Sequence, residues 1–216
     1  MQIKRVKSNE DFTKEEQNLG KIIDFFSKTN DLQKTQRYGD YPDFSESTAD
    51  HTFKVVLIVD YLYKYLNLDL DYQKCIELAI YHDFGEIDLK QDVDIKGNAQ
   101  TRIKRIKDEY ENKKIKELTN KYYSSIGDYN NEYKDKTTAE ARFVNACDKI
   151  EGMIHPLTVN KPIMNHELFA NYADKAINNF PKLMPIYRII KDILKEKYLL
   201  WGFEWKKEYE EIFQNK

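Results

Sequence analysis

Long stretches with the period of an α-helix, separated by few turn residues, constrain this chain more than any other feature. Seven glycines and five prolines are spread over 216 residues, and no strand-turn-strand spacing recurs. Segments rich in Lys, Glu, Leu and Ile fill the intervals, which is the pattern of helices. A first helix is predicted within residues 11–34, where Leu19, Ile22, Ile23 and Phe26 fall at helical spacing. "TQRYGDYPDFSESTAD" (35–50) breaks the pattern as a loop, and Asp50 is placed to cap a second helix. That helix, "HTFKVVLIVDYLYKYL" (51–66), is apolar on most sides, which predicts burial. A helix over about 72–87 comes next, then a charged helix over 102–118 with a thin stripe of Ile103, Ile106 and Tyr110, whose charges read as a solvated face. "SSIGDYNNEYKDKTT" (124–138) reads as a loop and 139–154 as a core-type helix. Aromatic-rich helices around Trp201 and Trp205 close the chain. The expected fold is all-α, a single compact domain over 1–216 with C-terminal helices over 157–216.

Composition narrows the partners. Lys and Arg (35) nearly cancel Asp and Glu (37), whereas a nucleic-acid-binding domain usually carries a basic excess, so no nucleic-acid partner is expected. The longest apolar run, "VVLIV" at 55–59, is far shorter than the roughly 20 residues a membrane helix needs. The start, "MQIKRVKSNEDF", has no apolar run of the signal-peptide kind. A cytoplasmic protein without a membrane partner is expected. Cys75 and Cys147 lack a CxxC neighbour and read as small core residues in a reducing compartment. The C-terminal aromatics suit a homodimer contact or packing within the chain.

Against this apolar background a few polar residues stand at core positions. In "AIYHDFGEIDL" (79–89), Asp83 shares a helical face with Ile76, Ala79, Ile80 and Ile87, with His82 beside it and Glu86 one turn on. In the 139–154 segment, Asp148 continues the face of Ala141 and Val144. His51 opens the apolar 51–66 helix. A buried carboxylate must be hydrogen-bonded, salt-bridged or bound to a metal. Two imidazoles and two carboxylates converging from separate helices suit a divalent transition metal, with coordination positions left for water and substrate. Glu151 and His155 follow Asp148 on the same face and invite a second cation site, although His155 before Pro156 reads more simply as a helix terminus. His166 reads as a helix-start or surface residue.

The ordered pattern "ADHTFKVV … LAIYHDFGE … ARFVNACDKIE" resembles the HD-domain metal-dependent phosphohydrolases. Within them it is most similar to the bacterial 5'-deoxynucleotidases and their oxetanocin-like relatives. The resemblance runs from about residue 20 to 155 and rests on Arg37-Tyr38, Asp50-His51-Thr52, Tyr81-His82-Asp83 with Glu86, and Asp148-Lys149-Ile150-Glu151. It implies that His51, His82, Asp83 and Asp148 hold one divalent ion, which could be Mn, Co, Fe, Ni or Mg. It implies catalytic roles for Asp83 and Glu86, a phosphate grip for Arg37, and sugar contacts for Tyr38 and Asp92. Asp50 stands for the subgroup's usual Glu, Thr52 for Ser and Tyr38 for Trp. The Gly-Asp pair expected after HDxxE is missing, and Asp92 is its nearest substitute.

The leading expectation is therefore a 5'-(deoxy)nucleotidase whose partner is a small nucleotide substrate. The alternatives are the same chemistry on a nucleoside triphosphate, cyclic nucleotide or alarmone, and a non-catalytic nucleotide- or metal-binding helical protein.

Overall fold

The architecture is arranged around one helix, α6 (Ala139–Val159), on which Ala141, Phe143, Val144, Ala146, Cys147 and Ile150 are fully buried. Small side chains at Ala141, Ala146 and Cys147 let neighbours approach closely on several sides. In this computed structural model, which describes residues 13–37, 45–89, 100–159 and 166–210, α2 (Thr48–Tyr65) and α3 (Tyr72–Tyr81) pack against α6 and against each other. Val55, Val59 and Leu62 of α2 meet Cys75, Leu78 and Ala79 of α3 in this core. Helices α8 (Asp174–Asn179) and α9 (Met184–Leu200) also pack on α6. A second, smaller core of Leu32, Phe84, Ile87, Ile115, Leu118 and Ile126 joins the segment after α3 to α4 (Gln100–Lys121) and α5 (Ser125–Asp135). The remaining helices are α1 (Lys14–Thr29) and the single turn α7 (His166–Phe169). The one sheet among the described residues has two short antiparallel strands, β1 (Gln36–Arg37) and β2 (Glu46–Ser47), with Arg37 opposite Glu46. The fold is all-α with this minor ribbon.

Several local expectations change. α2 is apolar on most sides but buried on one; Phe53, Leu57, Tyr61 and Tyr65 face outward, each more than half exposed. The tyrosines tolerate this because each keeps its hydroxyl in water, and the rings of Tyr61 and Tyr65 stack on each other. Asp50 does not precede α2. Ser47 is the N-cap, accepting at Oγ from the Asp50 amide, while Asp50 Oδ2 accepts from the Ser47 amide, a reciprocal capping box. α3 ends at Tyr81, so His82 and Asp83 leave the helix rather than continue its face, and a short turn carries Phe84–Glu86. α1 forms as expected, but Leu19, Ile22, Ile23 and Phe26 are exposed, and Phe25 packs inward on Phe84 and Tyr122. Among the described side chains of α4 the buried ones are Ile115 and Leu118, while Ile106 is exposed; Ile103 lies outside them. α6 continues through Pro156, so His155 lies inside the helix.

The largest correction is α5, where a loop was expected. Ile126, Asn130 and Tyr133 share one helical face and are all buried. Two of the three are polar, which hides the apolar period. Gly85 is needed where it stands: a Cβ there would meet Glu111 Cβ of α4 at 2.8 Å. Trp201 and Trp205 pack on Tyr198 within the chain. His166 begins α7 and stacks on Phe203. Both cysteines are buried and unpaired. No helix among the described residues is long and apolar enough to cross a membrane.

Candidate metal centre

The capped start of α2, the end of α3 and the middle of α6 meet at one point. The α2 capping box holds the first turn so that His51, with no solvent exposure, points inward. Its Nε2 lies 3.4 Å from His82 Nε2, 3.7 Å from Asp83 Oδ2 and 3.1 Å from Asp148 Oδ1. His82 Nε2 lies 3.2 Å from Asp83 Oδ2. Donors bound at about 2.0–2.1 Å to one ion stand roughly 2.8–3.0 Å apart at octahedral angles and roughly 3.3–3.4 Å apart at tetrahedral ones, so most of these spacings fit a single ion. His51, His82 and Asp83 also meet as a group close enough to share one.

The other face of each imidazole supports the same assignment. His82 Nδ1 donates to the Ala79 carbonyl at 2.8 Å, and His51 Nδ1 donates to Glu151 Oε2 at 2.6 Å. With both Nδ1 protons engaged, it is the two Nε2 atoms that face the shared point, and an ion displacing their protons would meet lone pairs there, as in metal-ligating histidines oriented by an outer partner. On Asp148, Oδ2 is held by the Tyr133 hydroxyl and by Lys149 Nζ at 2.9 Å, which leaves Oδ1 facing His51. Asn130 of α5 donates to the Tyr81 and His82 carbonyls at 3.0 and 2.9 Å, closing the end of α3 at the motif.

A protein-family model described as an HD domain matches residues 29–179. The chain belongs to the HD-domain family. The fold recurs in solved structures. A conserved hypothetical protein from Pyrococcus furiosus is 25% identical with a TM-score of 0.61, the match covering 79% of this chain and 98% of that one. A predicted metal-dependent phosphohydrolase from Magnetospirillum magnetotacticum is 20% identical with a TM-score of 0.68, covering 86% and 96%. An HD-domain phosphohydrolase from Listeria innocua is 18% identical with a TM-score of 0.57, covering 88% and 92%. The latter two likenesses show the fold. Among curated proteins no sequence matches.

Electrostatics in this HD domain follow from concentrated carboxylates. Burial pushes the His82 imidazole down, but the Asp83 and Asp148 carboxylates prevail and raise it to about 9. His51 is raised likewise: burial and Arg37 oppose its protonation, and Asp148 and Glu151 outweigh them. Burial would raise Asp83, yet His82 and Arg37 hold it well below the usual carboxylate range. Without an ion, protons on the imidazoles take over part of its charge.

Arg37, delivered by the β1–β2 ribbon, places Nη1 3.2 Å from Asp83 Oδ2. Glu86 is buried; Thr48 Oγ1 donates to its Oε2 at 2.7 Å and Lys107 Nζ of α4 to its Oε1 at 2.8 Å. Thr35 fixes the same turn: its hydroxyl lies 2.6 Å from the Leu89 carbonyl, to which it donates, and 3.1 Å from the Glu86 carbonyl. The structure thus brings together His51, His82, Asp83, Asp148 and Arg37, with Glu86 beside them on its own clamp. Tyr38 and Asp92 lie outside the described residues. Thr48, Lys107, Asn130 and Tyr133 were not singled out from the sequence. Only the α5 period of Ile126, Asn130 and Tyr133 could have signalled the last two.

Proposed function

We propose that this HD-domain protein is a metal-dependent phosphohydrolase that releases phosphate from nucleoside 5'-monophosphates. The observation that carries the reading is the pair of facing Nε2 atoms on His51 and His82, each with its Nδ1 proton engaged, together with Asp83 Oδ2 and Asp148 Oδ1. The names given to the Magnetospirillum and Listeria proteins support the phosphohydrolase class. The nucleotide substrate rests on the resemblance of Arg37-Tyr38 and the HD motifs to the 5'-deoxynucleotidases.

In this reading His51, His82, Asp83 and Asp148 are the ligands. A divalent ion held by them would supply Lewis acidity, toward a water and toward a phosphoryl oxygen. Arg37 is permanently charged and forks two oxygens, so its guanidinium beside Asp83 takes the phosphate. Glu86 is held by Thr48 and Lys107 in one orientation, and its carboxylate receives the proton of the attacking water. As the water oxygen bonds to phosphorus the bond from phosphorus to the 5'-oxygen breaks, and the nucleoside leaves as the alcohol with the proton that Glu86 received. Tyr38 and Asp92 are assigned the sugar.

The test is phosphate release by metal-stripped protein resupplied with Mn, Co or Mg. Deoxy- and ribonucleoside monophosphates, triphosphates and cyclic nucleotides form the panel, with Asp83→Ala as control. Release from monophosphates that disappears in the variant supports the reading. Turnover confined to triphosphates or cyclic nucleotides reassigns the substrate, and none on any member with metal bound supports a binding protein instead.

A further inference from the structure

Behind His51, away from His82, lies a second set of ligand-type side chains that the proposed chemistry does not use. Glu46 of β2, Glu151 and His155 of α6 are all buried, and Glu46, His51 and Glu151 meet closely enough to share an ion. What stands among them is an ammonium group. Lys54 Nζ donates to Glu46 Oε2, lies 3.1 Å from His155 Nδ1 and 3.7 Å from Glu151 Oε1. An ammonium has only protons to offer, so His155 Nδ1 meets it with its lone pair, the state in which an imidazole nitrogen ligates a metal. Glu46 Oε1 is buried with no hydrogen-bond partner among the described residues, 3.8 Å from both Arg37 Nε and His51 Nδ1.

We propose that the Lys54 ammonium occupies the place of a second metal ion, so that this chain holds one ion and would accept a second at Glu46, Glu151 and His155 only if Lys54 were removed. The inference rests on the reading of His51, His82, Asp83 and Asp148 as a metal centre.

Charge supports it. Glu46, Asp83, Asp148 and Glu151 face three fixed cations, Arg37, Lys54 and Lys149, in direct ion pairs. Four carboxylates against three cations leave one negative charge, so one divalent ion brings the cluster to +1; a second beside Lys54 would bring it to +3, whereas without Lys54 two ions bring it to +2, and each buried excess charge is costly. Replacing Lys54 by a neutral side chain removes one positive charge and exposes three ligands at once. Lys54 keeps part of its length in solvent, so its carbon stem can be shortened without opening the core.

Lys54 also acts on the first ion at one remove. Glu151 Oε2 orients His51 through Nδ1 while Oε1 is drawn toward Lys54. The lysine is thus a positioning residue for the carboxylate that orients a ligand.

The experiment is metal content per chain by plasma mass spectrometry, after dialysis of wild type, Lys54→Arg and Lys54→Ala against Mn and then against metal-free buffer. The expected counts are one, one and two. Two ions in wild type would overturn the inference, as would one ion in a Lys54→Ala protein that melts like wild type. Should Lys54→Ala not fold, Lys54→Met is counted in its place. No ion in wild type is a different failure: it removes the metal centre itself, and this inference with it.

Discussion

The Tyr133 hydroxyl donates to Asp148 Oδ2, the carboxylate oxygen opposite the one that faces His51. The contact joins α5, which carries no proposed ligand, to the ligand on α6. It decides which oxygen of Asp148 is available, and burial holds the tyrosine as the neutral donor, well above its ordinary pKa. Removing the hydroxyl with Tyr133→Phe keeps the ring and its packing. The expected result is a metal dissociation constant about 10–100-fold weaker, the usual cost of losing an outer-shell partner, with little change in Tm. A chelator-competition titration gives the number, and an unchanged constant would rule out a positioning role.

Asn130 stands one helical turn before Tyr133 and serves the other ligand-bearing element. Its amide satisfies two carbonyls at the end of α3, those of Tyr81 and His82. Asn130→Ala leaves both without this donor and is expected to cost about 1–3 kcal/mol of stability. Asn130→Asp should be worse, since it sets a carboxylate against two carbonyl oxygens. Urea unfolding of both variants checks the order.

Gly85 lets α4 approach the motif. Gly85→Ala places a methyl 2.8 Å from Glu111 Cβ, and a contact with another well-packed element yields only by moving α4. A loss of about 1–3 kcal/mol is expected, as for other overpacked sites. Because α4 carries Lys107, the clamp on Glu86 should loosen too. Turnover should then fall further than metal content does, and equal losses of the two would argue against the clamp.

Metal binding should strengthen as pH rises. A ligating imidazole must be deprotonated, and His82 in the metal-free chain holds its proton up to about 9. Each ion therefore displaces protons, and affinity should climb between neutral pH and about 9, then level off. Stability of the metal-free chain has the opposite slope. A histidine raised on folding contributes stability that is complete below its ordinary value near 6.5 and lost as pH passes about 9. Calorimetry in buffers of different ionisation enthalpy counts the protons released. Melting curves with and without metal should diverge as pH increases.

Arg37→Lys tests the phosphate grip. The variant keeps the charge opposite Asp83 but loses the planar fork. A hydrogen bond to a charged group is worth about 1.5–3 kcal/mol, so KM for the monophosphate should rise roughly ten- to a hundredfold, with kcat changed less. A fall in kcat at constant KM would move Arg37 from binding to the chemical step.

The residues of the ordered motif were legible in the sequence because each breaks a helical apolar pattern. His51 and Asp148 stand where a core residue belongs, and a buried charge needs a partner wherever it lies. The same logic misplaced the end of α3, because Asp83 fits the face of Ile76 and Ala79 even though the chain has already left the helix. It misjudged α2, where hydrophobicity alone does not distinguish a side packed on α6 from one carrying Tyr61 and Tyr65 in water.

α5 was missed for a related reason. Beside Ile126 its buried face carries Asn130 and Tyr133, and polar groups become core residues only when distant carbonyls and carboxylates arrive to satisfy them. Local periodicity, which acts over a few residues, thus determined the helices with an apolar face, though not where α3 ends, and marked the polar intruders near them. The partners of those intruders were decided by tertiary structure alone: Glu151 behind His51, Tyr133 on Asp148, Lys107 on Glu86 and Lys54 among Glu46, Glu151 and His155. These pairings join residues far apart in the chain, and only the packing of separate helices makes their hydrogen bonds and charges neighbours.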